Sequence, residues 1–352
     1  FVISSVRVDN TIGAGNIQIQ GDLFQVIGFN VINLINQMDE GIVDVGNINI
    51  TARKLVIQDG GGITSNAFGS ISAPNIVVNA RESVEVIGGF NFNNFYVPSN
   101  LSSSTTSVGK SGNLTINTNR LLVKNGGTIS TNVAGEIQNF RFLEATGAAG
   151  NVIINASEVI EIVGTSAQGL RSSIGSEVFN SGDAGNVTIS TKQLIVRDGG
   201  EVSVSSALPR LPANININED ASNLGNAGEL NIIADNILLD NKGQIVSEAE
   251  SANGGNVNLQ LQDLLLMRRN SLISTNAGKA GFEGNGGNIN ISSDVIAALE
   301  DSDISANSEK LRGGNVNIVT QGIFGTQFRN QLTPGSDITA TGEDELSRGN
   351  IE

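Results

Sequence analysis

The chain has no cysteine, no histidine and no tryptophan. It has 5 proline residues among 352, and aromatic residues make up only 4%. Each absence removes a class of protein. Without cysteine there is no disulfide framework and no thiolate metal site. Without histidine the commonest general base and metal ligand is missing. Without tryptophan the best stacking surface for sugar rings is missing. No stretch approaches 18 consecutive apolar residues, so no transmembrane helix is expected. No charged-then-apolar signal segment opens the chain. Phe1 to Val8 already reads as strand, and the chain is expected to begin inside a larger protein or after processing. Basic residues are also scarce. Lys and Arg total 20 against 35 Asp and Glu, a net charge of −15, which repels phosphate backbones and anionic lipid; neither nucleic-acid binding nor membrane insertion is expected.

What is abundant is glycine, 43 residues, beside short β-branched runs broken by Gly and Asn. These runs read as many short strands and turns. They also repeat. The unit small-Gly-Asn-apolar-x-apolar appears as AGNIQI at Asn16, VGNINI at Asn47, SGNLTI at Asn113, AGNVII at Asn151 and AGNVTI at Asn186. It returns as GGNVNL at Asn256, GGNINI at Asn288 and GGNVNI at Asn315. APNIVV at Asn75 and AGELNI at Glu229 are variants, and RGNIE at Asn350 begins a further copy. Successive starts lie between 27 (Asn288 to Asn315) and 43 (Asn186 to Glu229) residues apart, the period of a solenoid or a propeller.

The internal register decides between those two. Counted from each Asn, apolar residues fall at +1 and +3. Another falls at +8: Phe24, Leu55, Leu121, Val159, Leu194, Ile237, Leu264, Ile296 and Ile323. A third falls at +16: Ile32, Ile63, Ile129, Val202, Ile245 and Ile304. Three fixed strands followed by one variable loop make a coil of a β-solenoid, each strand alternating in and out with period 2. Propeller blades would need four antiparallel strands and periodic aromatics. The predicted fold is therefore all-β: a right-handed parallel β-helix of about ten three-stranded coils, its hand following the crossover rule. Residues 1–352 form a single rod, about 48 Å long at a strand spacing of about 4.8 Å.

Stacking explains the repeat. One coil cannot bury its own apolar residues, whereas stacked coils form a continuous thin core. The same stacking aligns Asn16, Asn47, Asn75, Asn113, Asn151, Asn186, Asn256, Asn288 and Asn315 into a ladder of side chains bonded above and below, a structural role. Longer loops are expected at Phe90–Ser107, Val133–Ala149 and Ala207–Ala227, where a partner such as a surface or polysaccharide ligand would bind. Open ladder edges at the two ends also allow head-to-tail association into filaments.

The stretch Gly284–Glu343, GNGGNINISSDVIAALEDSDISANSEKLRGGNVNIVTQGIFGTQFRNQLTPGSDITATGE, resembles the late repeats of large secreted cyanobacterial proteins related to filamentous haemagglutinin. The matching residues are Ala298–Ala306, Arg312–Asn315 and Gln321–Ala340. The earlier repeats are similar to the same family more loosely. The resemblance implies export by two-partner secretion through an outer-membrane β-barrel transporter as partner. It implies a right-handed β-helix at the cell surface or outside the cell, acting as adhesin, fibre or matrix component. The amino-terminal secretion domain of that family is not found in this sequence.

A catalytic reading has to rest on acidic residues. Glu300-Asp301 with Asp303, Glu219-Asp220 and Glu343-Asp344-Glu345 are the clusters, all in turns or loops where solvated charge suffices. The alternative function is a polysaccharide-acting β-helix enzyme using Glu300 or Asp303. Loose calcium binding by such a pair is a further expectation, although neither an EF-hand nor a calcium-roll spacing occurs. The reading preferred on the sequence is a non-catalytic rod without cofactor.

Overall fold

The computed structural model describes residues 6–10, 15–28, 30–36, 46–92, 95–134, 136–138, 141–143, 145–179, 181–207, 224–278 and 282–352. It is a parallel β-solenoid. No helix occurs among the described residues, and none is therefore long and apolar enough to cross a membrane. Two sheets run the length of the rod. The 11-stranded sheet takes β2 (Ile17–Gln20) and β3 (Leu23–Ile27) from the first coil. One long strand from each later coil follows: β5 (Asn47–Gln58), β7 (Asn75–Ile87), β11 (Leu114–Lys124), β15 (Val152–Val163), β17 (Val187–Arg197), β19 (Leu230–Asp240), β21 (Val257–Arg268), β23 (Ile289–Ala298) and β25 (Val316–Phe324). The 12-stranded sheet takes the short strands: β1 (Val6–Asn10), β4 (Val31–Asn36), β6 (Gly62–Ala67), β10 (Asn100–Thr105), β12 (Thr128–Val133), β16 (Ser173–Val178), β18 (Glu201–Ser206), β20 (Gln244–Val246), β22 (Leu272–Ser274), β24 (Asp303–Ser305), β27 (Ser336–Thr339) and β26 (Thr326–Phe328).

Two expectations are corrected by this topology. The segments at +1 and +8 are separate strands only in the first coil, where Gly21-Asp22 interrupts them; later they are one bent strand. The bend is a β-bulge, as between Thr118 and Arg120, so the chain turns the corner without giving up its ladder. The bulge also shifts the count. Ile160, Leu265 and Val84, at +9, occupy the core where their coils carry one extra residue, and Val159, Leu264 and Ser83 sit beside it half-buried. The pairing is direct: Leu121 lies opposite Ile160, Ile160 opposite Leu194 and Ile237 opposite Leu265.

The second correction concerns length. Insertions do not wait until after the third strand. In the coil of Asn75 an antiparallel hairpin, β8 (Gly89–Phe92) with β9 (Phe95–Pro98), precedes β10. In the coil of Asn151 a turn over 164–172 precedes β16. The predicted loop Phe90–Ser107 therefore contains a core strand, β10. Within Val133–Ala149, β13 (Glu136–Gln138) and β14 (Arg141–Leu143) form a second hairpin. Most of Ala207–Ala227 lies outside the described residues.

The core is a set of like-on-like columns. On the short sheet Ile32, Ile63, Leu101, Ile129, Ile174, Val202, Ile245, Ile273 and Ile304 follow one another in register, every one fully buried. At roughly 25 cal/mol per Å² of apolar surface such columns supply the main drive to stack. The turn into the short sheet uses left-handed residues in pairs: Asp198 (φ 57°) with Gly199 (φ 83°), or Glu300 (φ 57°) with Asp301 (φ 60°). Asn, Asp and Gly are the residues that tolerate that region best.

Candidate functional site

The Gly-Asn corner is where the repeat is most uniform. The carboxamide Oδ1 of one Asn accepts the backbone N–H of the next corner residue. The distances are 2.8 Å for Asn16 to Asn47, Asn75 to Asn113, Asn113 to Asn151, Asn151 to Asn186 and Asn186 to Glu229. Farther along, Asn256 receives Asn288 at 3.0 Å, Asn288 receives Asn315 at 2.9 Å, and Asn315 receives Asn350 at 2.9 Å. The bond is thus mainly side chain to main chain. Glu229 still donates through its backbone, which is why a non-Asn is accepted there. Side-chain amide ladders lie on the outer surface instead: Asn155 to Asn117 to Asn79, and Asn317 to Asn290 to Asn258 to Asn231.

The glycine before each Asn is fixed by approach rather than by φ. A Cβ on Gly185 would stand 1.9 Å from the carbonyl oxygen of Gly150 in the coil before, and one on Gly287 would stand 1.9 Å from that of Gly255. Buried hydroxyls of the short strands then tie this corner across the coil. Ser103 accepts Gly112 N–H at 2.7 Å, Ser176 accepts Gly185 N–H at 2.8 Å, and Thr131 donates to Gly150 O at 2.6 Å. Corner backbone groups in the interior need such partners. These hydroxyls were not singled out in the sequence; the signal was a Ser or Thr at +18, as at Ser65, Thr131 and Ser247.

The acidic clusters are dispersed into structural contacts. Glu300 pairs with Arg268 at 3.1 Å, and Asp301 accepts Asn270 Nδ2 at 3.2 Å. Asp303 accepts the backbone N–H of Asp337 at 2.8 Å, while burial pushes its carboxyl up to about 6. Asp344 caps the turn at Ser347, whose hydroxyl holds its carboxyl below the usual range. Glu219-Asp220 lies outside the described residues. Among the described residues no group of three or more acidic side chains is placed to hold a metal ion.

A different cluster does converge. A groove of about 610 Å³ crosses β12, β16 and β18 on the outer face of the short sheet. Its floor is two rows in register. One holds Thr128, Ser173 and Glu201; the other holds Asn132, Glu177 and Ser205. Between them Gly175 leaves the floor low. One end is walled by the two early insertions, through Pro98 and the turn Gly169–Arg171. Tyr96 anchors the hairpin by donating to Asn125 O at 2.9 Å, and Gln168 Nε2 ties the turn to it through Asn91 Oδ1 at 2.7 Å. Arg171 leans over the floor, paired with Glu201 at 3.1 Å and donating to Gly199 O at 2.9 Å. Burial, and then the neighbouring Glu201 charge, push the Glu177 carboxyl up to about 7. Asn91, Tyr96 and Pro98 lie in the loop Phe90–Ser107, where a partner is expected, whereas the floor residues and Arg171 were not candidates on the sequence, because a lone Glu in a strand carries no motif.

No protein-family model matches the chain, and no curated protein or solved structure is significantly similar to it.

Proposed function

We propose that this chain is the non-catalytic structural or adhesive rod of a secreted surface protein. The observation that carries the reading is the recurrence of the Gly-Asn corner. Its backbone-to-carboxamide bonds join eight of the ten successive corners from Asn16 to Asn350, the two exceptions being Asn47 to Asn75 and Glu229 to Asn256. A chain that devotes its most uniform residues to stacking gains length and rigidity from them. The resemblance of Gly284–Glu343 to secreted haemagglutinin-like repeats adds the compartment and the partner: export through an outer-membrane transporter, and a place at the cell surface or beyond. Head-to-tail pairing of coil edges would extend rods into filaments.

The alternative is action on polysaccharides through Glu300 and Asp303. What counts against it is that both carboxylates are engaged, with Arg268 and with the Asp337 amide. Electron microscopy of native material, combined with protease shaving of intact cells, tests the proposal. Surface-exposed rods or filaments support it. A protein protected inside the cell overturns it.

A further inference from the structure

The groove over β12, β16 and β18 is not needed for stacking. Every coil closes without it, and one of its walls comes from the two insertions that precede a short strand, the β8–β9 hairpin and the turn over 164–172. Its hydrogen-bonding capacity is one-sided. No hydrogen bond or ion pair reaches the Glu177 carboxylate among the described residues. On the adjacent strand, in register with Glu177, the buried Oδ1 of Asn132 also has no partner, its Nδ2 being used on Ser130 Oγ at 3.0 Å. Both are acceptors, and a carboxylate can only accept when ionised. Glu177, Glu201 and Glu250 line the groove against one cation, Arg171, so the lining carries an excess of negative charge. A buried acceptor left unmet is destabilising, and a donor on a ligand would recover that loss.

The group that suits this lining is therefore a positively charged donor. The rest of the lining narrows what carries it. Thr128, Ser173 and Ser205, half-buried in the two floor rows, present hydroxyls across the strands, which suits a polyhydroxylated ligand. Leu170, 41% exposed, gives the wall an apolar surface for the C–H face of a ring. Phosphate or sulfate would be repelled, and among the described residues no three acidic side chains are placed to hold a divalent ion. We propose that this groove binds a cationic amino-sugar chain. The ammonium group sits between Glu177 and Asn132 Oδ1, the ring hydroxyls lie on the floor rows, and one ring face rests on Leu170. The proposal stands whether or not the rod is an adhesin.

Calorimetric titration of the whole chain tests this at pH 7, close to the Glu177 carboxyl's own value of about 7, so that a bound ammonium can hold that carboxyl ionised. The probes are a β-1,4-linked glucosamine tetramer, its N-acetylated form, the neutral glucose tetramer and tetralysine. The glucosamine tetramer should bind, and both Glu177→Gln and N-acetylation should weaken it at least about tenfold, the loss of one charge-assisted bond. Leu170→Arg, placing a cation and bulk on the wall, should weaken it as well. No binding, or binding that Glu177→Gln leaves unchanged, overturns the site. Equal binding of the neutral tetramer overturns the role of the charge. Tetralysine binding as tightly as the sugar overturns the sugar assignment in favour of a basic peptide. Circular dichroism of each variant confirms that its fold is retained.

Discussion

The Oδ1 of Asn113 accepts the backbone N–H of Asn151 at 2.8 Å, although the two are 38 residues apart in the chain. In the stack they are adjacent. This one bond joins two coils at the corner where both change direction, and it recurs along the rod. Asn113→Ala removes the acceptor and leaves the Asn151 amide to water. The corner is exposed, so the expected loss is modest, about 1 kcal/mol. It should appear as a lower urea midpoint with an unchanged slope, and as faster hydrogen exchange at the Asn151 amide than at the amide of Asn186. An unchanged midpoint would mean that water replaces the carboxamide at no cost.

Two glycine substitutions separate crowding from backbone freedom. Gly185→Ala places a methyl group 1.9 Å from Gly150 O, backbone on both sides, so the coils must part. The expected cost exceeds about 3 kcal/mol, in the range of severe overpacking. Gly21→Ala has nothing within 4 Å of its new methyl and no positive φ, and should change stability by less than about 0.5 kcal/mol. Thermal unfolding of the two variants side by side measures the difference. Similar melting temperatures would show that the corner is looser than its spacing.

The bulge register makes a prediction that strict counting from the Asn would reverse. Ile160 is fully buried between Leu121 and Leu194, and Val159 lies half-buried beside it. Ile160→Ala should cost about 2–5 kcal/mol, as large-to-small core changes do. Val159→Ala should cost well under half as much. Denaturant unfolding decides the order, and a larger loss for Val159→Ala would place the bulge on the wrong side of the bend.

What the sequence displayed well was whatever repeats with the coil. The Gly-Asn corner, the period-2 alternation and the apolar +16 column are forced by stacking, so they recur and can be counted. Ile32, Ile63, Ile129, Val202, Ile245 and Ile304 are all fully buried in one column. Their partners Leu101, Ile174 and Ile273 escaped the count, because an insertion or an extra bulge residue displaced each of them. The groove was less legible still. Glu177 and Asn132 lie 45 residues apart in the chain and meet only through the pairing of β12 with β16. Nothing local marks either one. Only the register brings an unpaired carboxyl beside an unpaired amide oxygen, and register is a property of neighbouring coils.

The Glu177 carboxyl ties stability to pH in a direction opposite to that of an ion-paired acid. Its folded value, about 7, lies above the ordinary 4.5, because burial and then Glu201 disfavour the charge. The folded state therefore holds this proton more tightly than the unfolded state. Its contribution is complete below about pH 4.5 and is lost as the pH rises through 7. Glu177→Gln keeps the shape and removes the titration. The variant should match the parent chain near pH 4 and exceed it by about 1–3 kcal/mol at pH 8, the gap opening between those values. Paired urea melts across that range test it. Asp337 supplies an internal contrast. Burial raises its carboxyl, but the Thr333 amide and Arg329 outweigh that and leave it below the ordinary 3.8. Its contribution is present at neutral pH and lost only under stronger acid, so it cannot imitate the Glu177 profile. A gap between Glu177→Gln and the parent chain that stays constant from pH 4 to 8 would mean that the Glu177 carboxyl does not titrate in this window, and the groove would hold its charge by some other contact.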